Sequence, residues 1–200
     1  MRLEKDTLGE KYLTDETVYG INTQRAVENF PLSHKKVNLH LIHAMLLVKK
    51  AAAKTYENLV EDVEKEKYQA IVAECDELLL KTEEDKSFSQ QAEHNRDNQN
   101  QAEDNRRGID TLFVTQALQG GVGTSTNMNV NEVIANIALK HLGKNYGDYN
   151  CIHPLDDVNR GQSTNDVYPT ALRIASIFLI RKLSDACAAL QTSLQEKENA

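Results

Sequence analysis

From Leu172 to Leu194 apolar residues return every three or four positions: Leu172, Ile174, Ala175, Phe178, Leu179, Leu183, Ala186, Cys187, Leu190 and Leu194. That is the period of one helical face, and it commits the end of the chain to a single long helix. The apolar face is too extensive for a helix alone in water, so it needs neighbours from this chain or another. The same rhythm occurs earlier. Asn38 can cap a helix running to about Leu59, buried through Leu41, Ile42, Met45, Leu46, Val48, Ala52 and Ala53. A second begins near Asp62 and carries Tyr68, Ile71, Val72, Cys75, Leu78 and Leu79, which suggests an antiparallel pair. A third should run from about Thr126 to Leu142 on Val130, Val133, Ile134, Ile137 and Ala138, and end at Gly143. No alternating apolar run bounded by hairpin turns appears, and residues 1–37 read as irregular, with a short helical turn closed by Pro31. The expected fold is mainly α.

A chain of 200 residues that is 40% hydrophobic can bury a core, yet no stretch of it is apolar for long enough to span a membrane. The charged start, Met1-Arg2-Leu3-Glu4-Lys5-Asp6, lacks the apolar segment of a secretory signal, which places the protein in the cytoplasm. A net charge of −7 gives nucleic acid no electrostatic footprint, and an anionic ligand would have to be drawn in locally by oriented donors. Cys75, Cys151 and Cys187 are too few and too scattered for a disulfide framework or a zinc site. His34, His40 and His43 have no carboxylate at ligand spacing, so no metal is expected there. Residues 82–107 are dominated by Gln, Asn, Asp, Glu and Arg and are expected to form a mobile loop or a solvated helix outside the core.

Two stretches carry chemistry. In Gly120-Gly121-Val122-Gly123-Thr124-Ser125-Thr126-Asn127 three glycines in four residues precede three hydroxyls and the first of three asparagines. Glycines let a backbone come close to a ligand, and a first helical turn offers free N–H groups to anions. In Gln162-Ser163-Thr164-Asn165-Asp166 the same residue types again open a helix, with Pro169 expected in its first turn. Capping explains one hydroxyl per helix, Thr124 or Ser125 in the first and Ser163 or Thr164 in the second. The surplus suits a reaction in which negative charge grows on a bound carboxylate, because preorganised neutral donors stabilise that charge. Arg25 and Glu28 stand at i, i+3 as a surface ion pair, with a substrate-facing or interface arginine as the alternative.

The segment Gly120–Asn136 resembles the first signature of the aspartase/fumarase superfamily, and its details are similar to the aspartate ammonia-lyases. Tyr19–Phe30, Val48-Lys49-Lys50-Ala51-Ala52-Ala53 and Gln162–Thr170 agree with it. The resemblance implies a small helical N-terminal domain, here 1–160, leading at 161–200 into a central helix bundle built by homotetramerisation. It implies reversible deamination of L-aspartate to fumarate and ammonium without an organic cofactor, through a doubly negative aci-carboxylate. Carried over by motif, Thr124, Ser125 and Thr126, with Asn127 nearby, would bind a substrate carboxylate, as would Ser163, Thr164 and Asn165. It also brings Arg25 close to substrate. In His153-Pro154-Leu155-Asp156-Asp157, Leu155 stands where fumarases have an asparagine, so their secondary anion site is not carried over. The family's catalytic base lies in a mobile glycine-serine loop beyond Ala200, and the chain is therefore expected to hold part of a composite site and to be inactive alone. A fumarase using the same cradle, or a non-catalytic helical assembly module, are the alternatives.

Overall fold

A computed structural model describes residues 1–32, 35–94, 108–119 and 121–199, and the side chains of all of these except 84–94 and 110. The first surprise is a β-hairpin, β1 (Arg2–Asp6) and β2 (Gly9–Leu13), where the sequence reads as irregular. Its strands are short and mostly charged, so they show no apolar alternation. The tight connection is held instead by Asp6, whose Oδ1 accepts the Leu8 N–H at 2.9 Å.

The longer elements among the described residues are helices: α1 (Ile21–Asn29), α2 (Leu39–Leu59), α3 (Lys65–His94), α4 (Thr124–His141) and α5 (Thr164–Glu198). Asn38 caps α2 as its position predicts, accepting the His40 N–H at 2.9 Å. α3 starts at Lys65, three residues later than Asp62. It runs antiparallel to α2: Tyr56 and Tyr68 stack with ring centroids 5.4 Å apart at one end, and His43 Nδ1 lies 2.6 Å from the Thr82 hydroxyl at the other. The polar stretch 82–107 is therefore helical over its first part, and Thr82 itself is buried, bonded to the Leu79 carbonyl. Residues 95–107 of that stretch, and His34, lie outside the described residues. Among the described residues no three His, Cys, Asp or Glu side chains come together as a metal site.

α4 is the centre of the molecule. Its apolar residues Val130, Val133, Ile134, Ala135, Ala138 and Leu139 join Ile42, Met45, Leu46, Ile71 and Leu78 in one core. Just past the Leu142 cap of α4, Gly143 takes φ +71°, the stop position that its spacing predicts. Between α4 and α5 the chain makes one wide helical turn, Pro154–Val158, closed by bonds from Val158 and Asn159 back to His153 and Pro154. α5 begins with Ser163 as its cap, and Pro169 falls in its second turn, not the first, because the helix already starts at Thr164. Only Val167, Ala171 and Ala175 of α5 are buried, and every residue from Ile177 to Asn199 is exposed, including Leu183, Leu190 and Leu194. The apolar face read from the sequence is thus present and uncovered. No helix among the described residues is long and apolar enough to cross a membrane.

Candidate functional site

The polar residues of α4 divide by what they hold. Asn127, Asn129, Asn131, Glu132 and Asn136 are each no more than 1% exposed, which is costly unless their polar atoms find partners. Asn129 docks the segment before the glycines, accepting the Val114 N–H at 3.0 Å and donating to the Leu112 carbonyl at 3.0 Å. Asn136 donates to the Val18 carbonyl at 2.7 Å and accepts the Gly147 N–H at 2.8 Å. Glu132 receives five hydrogen bonds, from the N–H groups of Gly20, Asn22 and Thr23, the Asn22 amide and the Thr23 hydroxyl. Glu4 takes the remaining N–H, that of Ile21, at 2.8 Å, and is itself paired with Arg2 Nε at 2.7 Å. The N-terminus of α1 is thus an anion site filled by the chain's own carboxylates. Burial pushes the Glu132 carboxyl above its ordinary range, against the pull of those donors. Gly20 allows the close approach: a Cβ there would lie 2.5 Å from the Tyr149 hydroxyl oxygen and 2.8 Å from the Glu132 carboxyl carbon.

Arg25 belongs to the same anchoring system. Its guanidinium grips Asp6 with two bonds of 2.7 and 2.9 Å and reaches the Gly9 carbonyl at 3.3 Å, which fastens α1 to the hairpin turn. The partner is Asp6 and not Glu28, which instead meets Lys11 and Gln24. Spacing of i, i+3 misses this because the hairpin that supplies Asp6 is invisible in the sequence pattern.

The starts of α4 and α5 are different. Gly123 occupies the cap of α4 at φ +84° with no side-chain cap, so Thr124 and Ser125 lie inside the helix and neither is spent on capping. Any Cβ at Gly123 would overlap the ring of Tyr168, and this close contact brings the glycine loop against α5. Thr124 is exposed and Ser125 half-buried, whereas Thr126 is fully buried and accepts from Gln119 Nε2 at 3.1 Å. On α5, the Ser163 hydroxyl caps Asn165 N at 3.2 Å, Thr164 is partly buried and Asn165 exposed. The side chains of Thr124, Ser125 and Asn165 make no hydrogen bond among the described residues. The two clusters meet: buried Asn127 donates to the Thr164 hydroxyl oxygen at 3.1 Å. Beside this junction is a cavity of ≈ 300 Å³, with Gly121, Val122 and Gly123 on one side and Asn165, Tyr168 and Pro169 on the other.

Behind the junction lie residues to which the sequence pattern assigns no role. Asn159 Oδ1 accepts from Lys49 Nζ at 2.7 Å, Asn127 Nδ2 at 3.1 Å and Asn131 Nδ2 at 3.3 Å. Lys49 also donates to Gln162 Oε1 at 3.0 Å and is fully buried. The i, i+4 spacing of Asn127 and Asn131, and a lone lysine on the apolar side of α2, were the available signals.

One known family, described as lyase, matches residues 91–200. An aspartate ammonia-lyase of Escherichia coli (strain K12) is 37% identical over 199 residues, 98% of this chain and 36% of that protein. A class II fumarate hydratase of Wigglesworthia glossinidia brevipalpis is 40% identical over 181 residues, 90% of this chain and 33% of that protein. The crystal structure of a fumarate lyase:delta crystallin from Brucella melitensis in native form superposes with a TM-score of 0.70 at 44% identity, covering 89% of this chain and 34% of that one. The chain therefore spans about a third of the length of the relatives it matches.

Proposed function

The chain belongs to the aspartase/fumarase superfamily of lyases, and on that premise we propose that it binds a four-carbon dicarboxylate between the N-termini of α4 and α5, as part of an aspartate ammonia-lyase. The reaction is the reversible conversion of L-aspartate to fumarate and ammonium. One observation carries the proposal: Asn165 lines a cavity walled by both helix starts, and Thr124 and Ser125, which follow its Gly123 wall in the chain, make no side-chain hydrogen bond among the described residues. Thr124, Ser125 and the first N–H groups of α4 receive one carboxylate. Thr164 and Asn165 receive the other, with Ser163 fixing the turn that presents them. Thr126 and Asn127 stand behind as the buried frame. Neutral donors and two helix N-termini suit the aci-carboxylate, on which charge accumulates while the donors stay in place. Removing one such donor in an enzyme typically costs about 10²–10³ in rate. Arg25 would reach a ligand only if Asp6 released it, and we assign it to anchoring the hairpin.

The relative named fumarate hydratase favours one second reading, hydration of fumarate on the same cradle. Assaying a version of the relatives' length that includes this chain, with fumarate and either ammonium or water as the adding group, decides between the two. The uncovered face of α5 is proposed as the contact of a homotetrameric bundle, with residues up to 160 forming the outer domain.

The test of the site is calorimetric titration with fumarate and with L-aspartate. Saturable binding is expected, lost on Thr124→Val and kept on Arg160→Ala, a position exposed beside Tyr56 and Tyr68. No binding, or equal loss in both variants, overturns the proposal.

A further inference from the structure

Lys49 is an unusual residue to bury. It is 0% exposed, and both of its hydrogen-bond partners, Asn159 Oδ1 and Gln162 Oε1, are neutral amide oxygens. A buried ammonium with no carboxylate is expensive, and a hydrocarbon side chain would fill the same space at less cost. A site that keeps one uses it for something other than packing.

Its use follows from hydrogen-bond direction. As an ammonium Lys49 can only donate, so it fixes the oxygen of the Asn159 amide toward itself. The Asn159 nitrogen points the other way and donates to the Gln162 carbonyl at 3.0 Å. With Asn159 Oδ1 set as an acceptor, Asn127 and Asn131 must turn their nitrogens to it, at 3.1 and 3.3 Å. Asn127 Nδ2, so turned, also donates to the Thr164 hydroxyl oxygen at 3.1 Å. A hydroxyl has one proton, and an oxygen that accepts from Asn127 keeps that proton for another acceptor.

We propose that Lys49 is a positioning residue that sets the polarity of the cradle: through Asn159 and Asn127 it leaves the Thr164 hydroxyl as a donor toward a ligand carboxylate. The inference rests on the dicarboxylate site above. It adds a reason why a chain of net charge −7 accepts a dianion there, since a positive charge stands directly behind the neutral wall. Among the described residues, the groups facing Lys49 do not cancel that charge. From α3 comes Cys75, whose thiol burial pushes up to about 12, so it stays neutral near pH 7. From α4 and the chain before α5 come amides. Burial lowers Lys49 itself to about 7, so the charge is present below neutrality and lost above it.

The experiment has two arms. Fumarate, doubly ionised throughout, is titrated calorimetrically into the chain and into Lys49→Met at pH 6 and pH 8. The unsubstituted chain is expected to bind about tenfold more tightly at pH 6, and Lys49→Met to bind weakly at both with that difference gone. In the unliganded chain, nitrogen NMR should show the side-chain amide signals of Asn127 and Asn159 moving with a midpoint near that of Lys49, about 7. This second arm decides the matter even if Lys49→Met does not fold. Fumarate binding whose pH difference survives in Lys49→Met, or amide signals that stay still, overturns the role of Lys49 and leaves the cradle standing. No fumarate binding by the unsubstituted chain overturns both.

Discussion

Three helices of this protein begin in massed hydrogen-bond donors, and they meet opposite fates. At α1 every early N–H is taken by Glu132 or Glu4, carboxylates that arrive from α4 and from the hairpin. At α4 and α5 the side chains of Thr124, Ser125 and Asn165 are met by no partner among the described residues, and Asn165 and the Gly123 cap of α4 line a cavity. The same chemistry of small polar residues at a helix start serves as a fastening in one place and as an open site in the other. What separates them is whether the fold delivers a carboxylate from elsewhere. An anion site filled from within is structural, and one left open is available to a ligand carrying the same group.

Substitutions that break this contrast should differ sharply in kind. The largest effect is expected at Glu132→Ala, which strands the donors of α1 in a buried place and should cost about 4 kcal/mol in denaturant unfolding. An unfolding midpoint unchanged by it would mean that α1 is not fastened as described. Gly20→Ala comes next, at about 2 kcal/mol, because the new methyl would press on Tyr149 and Glu132. Ser163→Ala removes the cap of α5 and should cost about 1 kcal/mol, a loss visible in the same unfolding curve. Thr124→Val should leave stability within about 0.5 kcal/mol, since the hydroxyl is exposed and unbonded, while dicarboxylate binding collapses. Should Thr124→Val instead destabilise the fold as much as Ser163→Ala, the α4 donors would be structural after all.

Much of the helical framework was legible in the sequence, because burial of one helical face leaves a period that neighbours do not need to explain. Asn38 as a cap, Gly143 as a stop and the apolar face of α5 were all local facts. The hairpin was not legible, since charged strands of five residues carry no alternation and are held by Asp6 and by the reach of Arg25. The two donor clusters could be found as clusters. The sequence could not sort their members: Thr126 and Asn127 are buried frame, while Thr124 and Asn165 face outward.

By itself the sequence determined that the chain is helical, that one long helix carries an apolar face, and that two helix starts are rich in neutral donors. Periodicity and residue type suffice for those, because both act over a few residues. Only the tertiary structure decided which donors are already taken. Glu132 reaches Gly20 across 112 positions of chain and Lys49 reaches Asn159 across 110. Whether a polar group is satisfied depends on such distant partners, which no local pattern records.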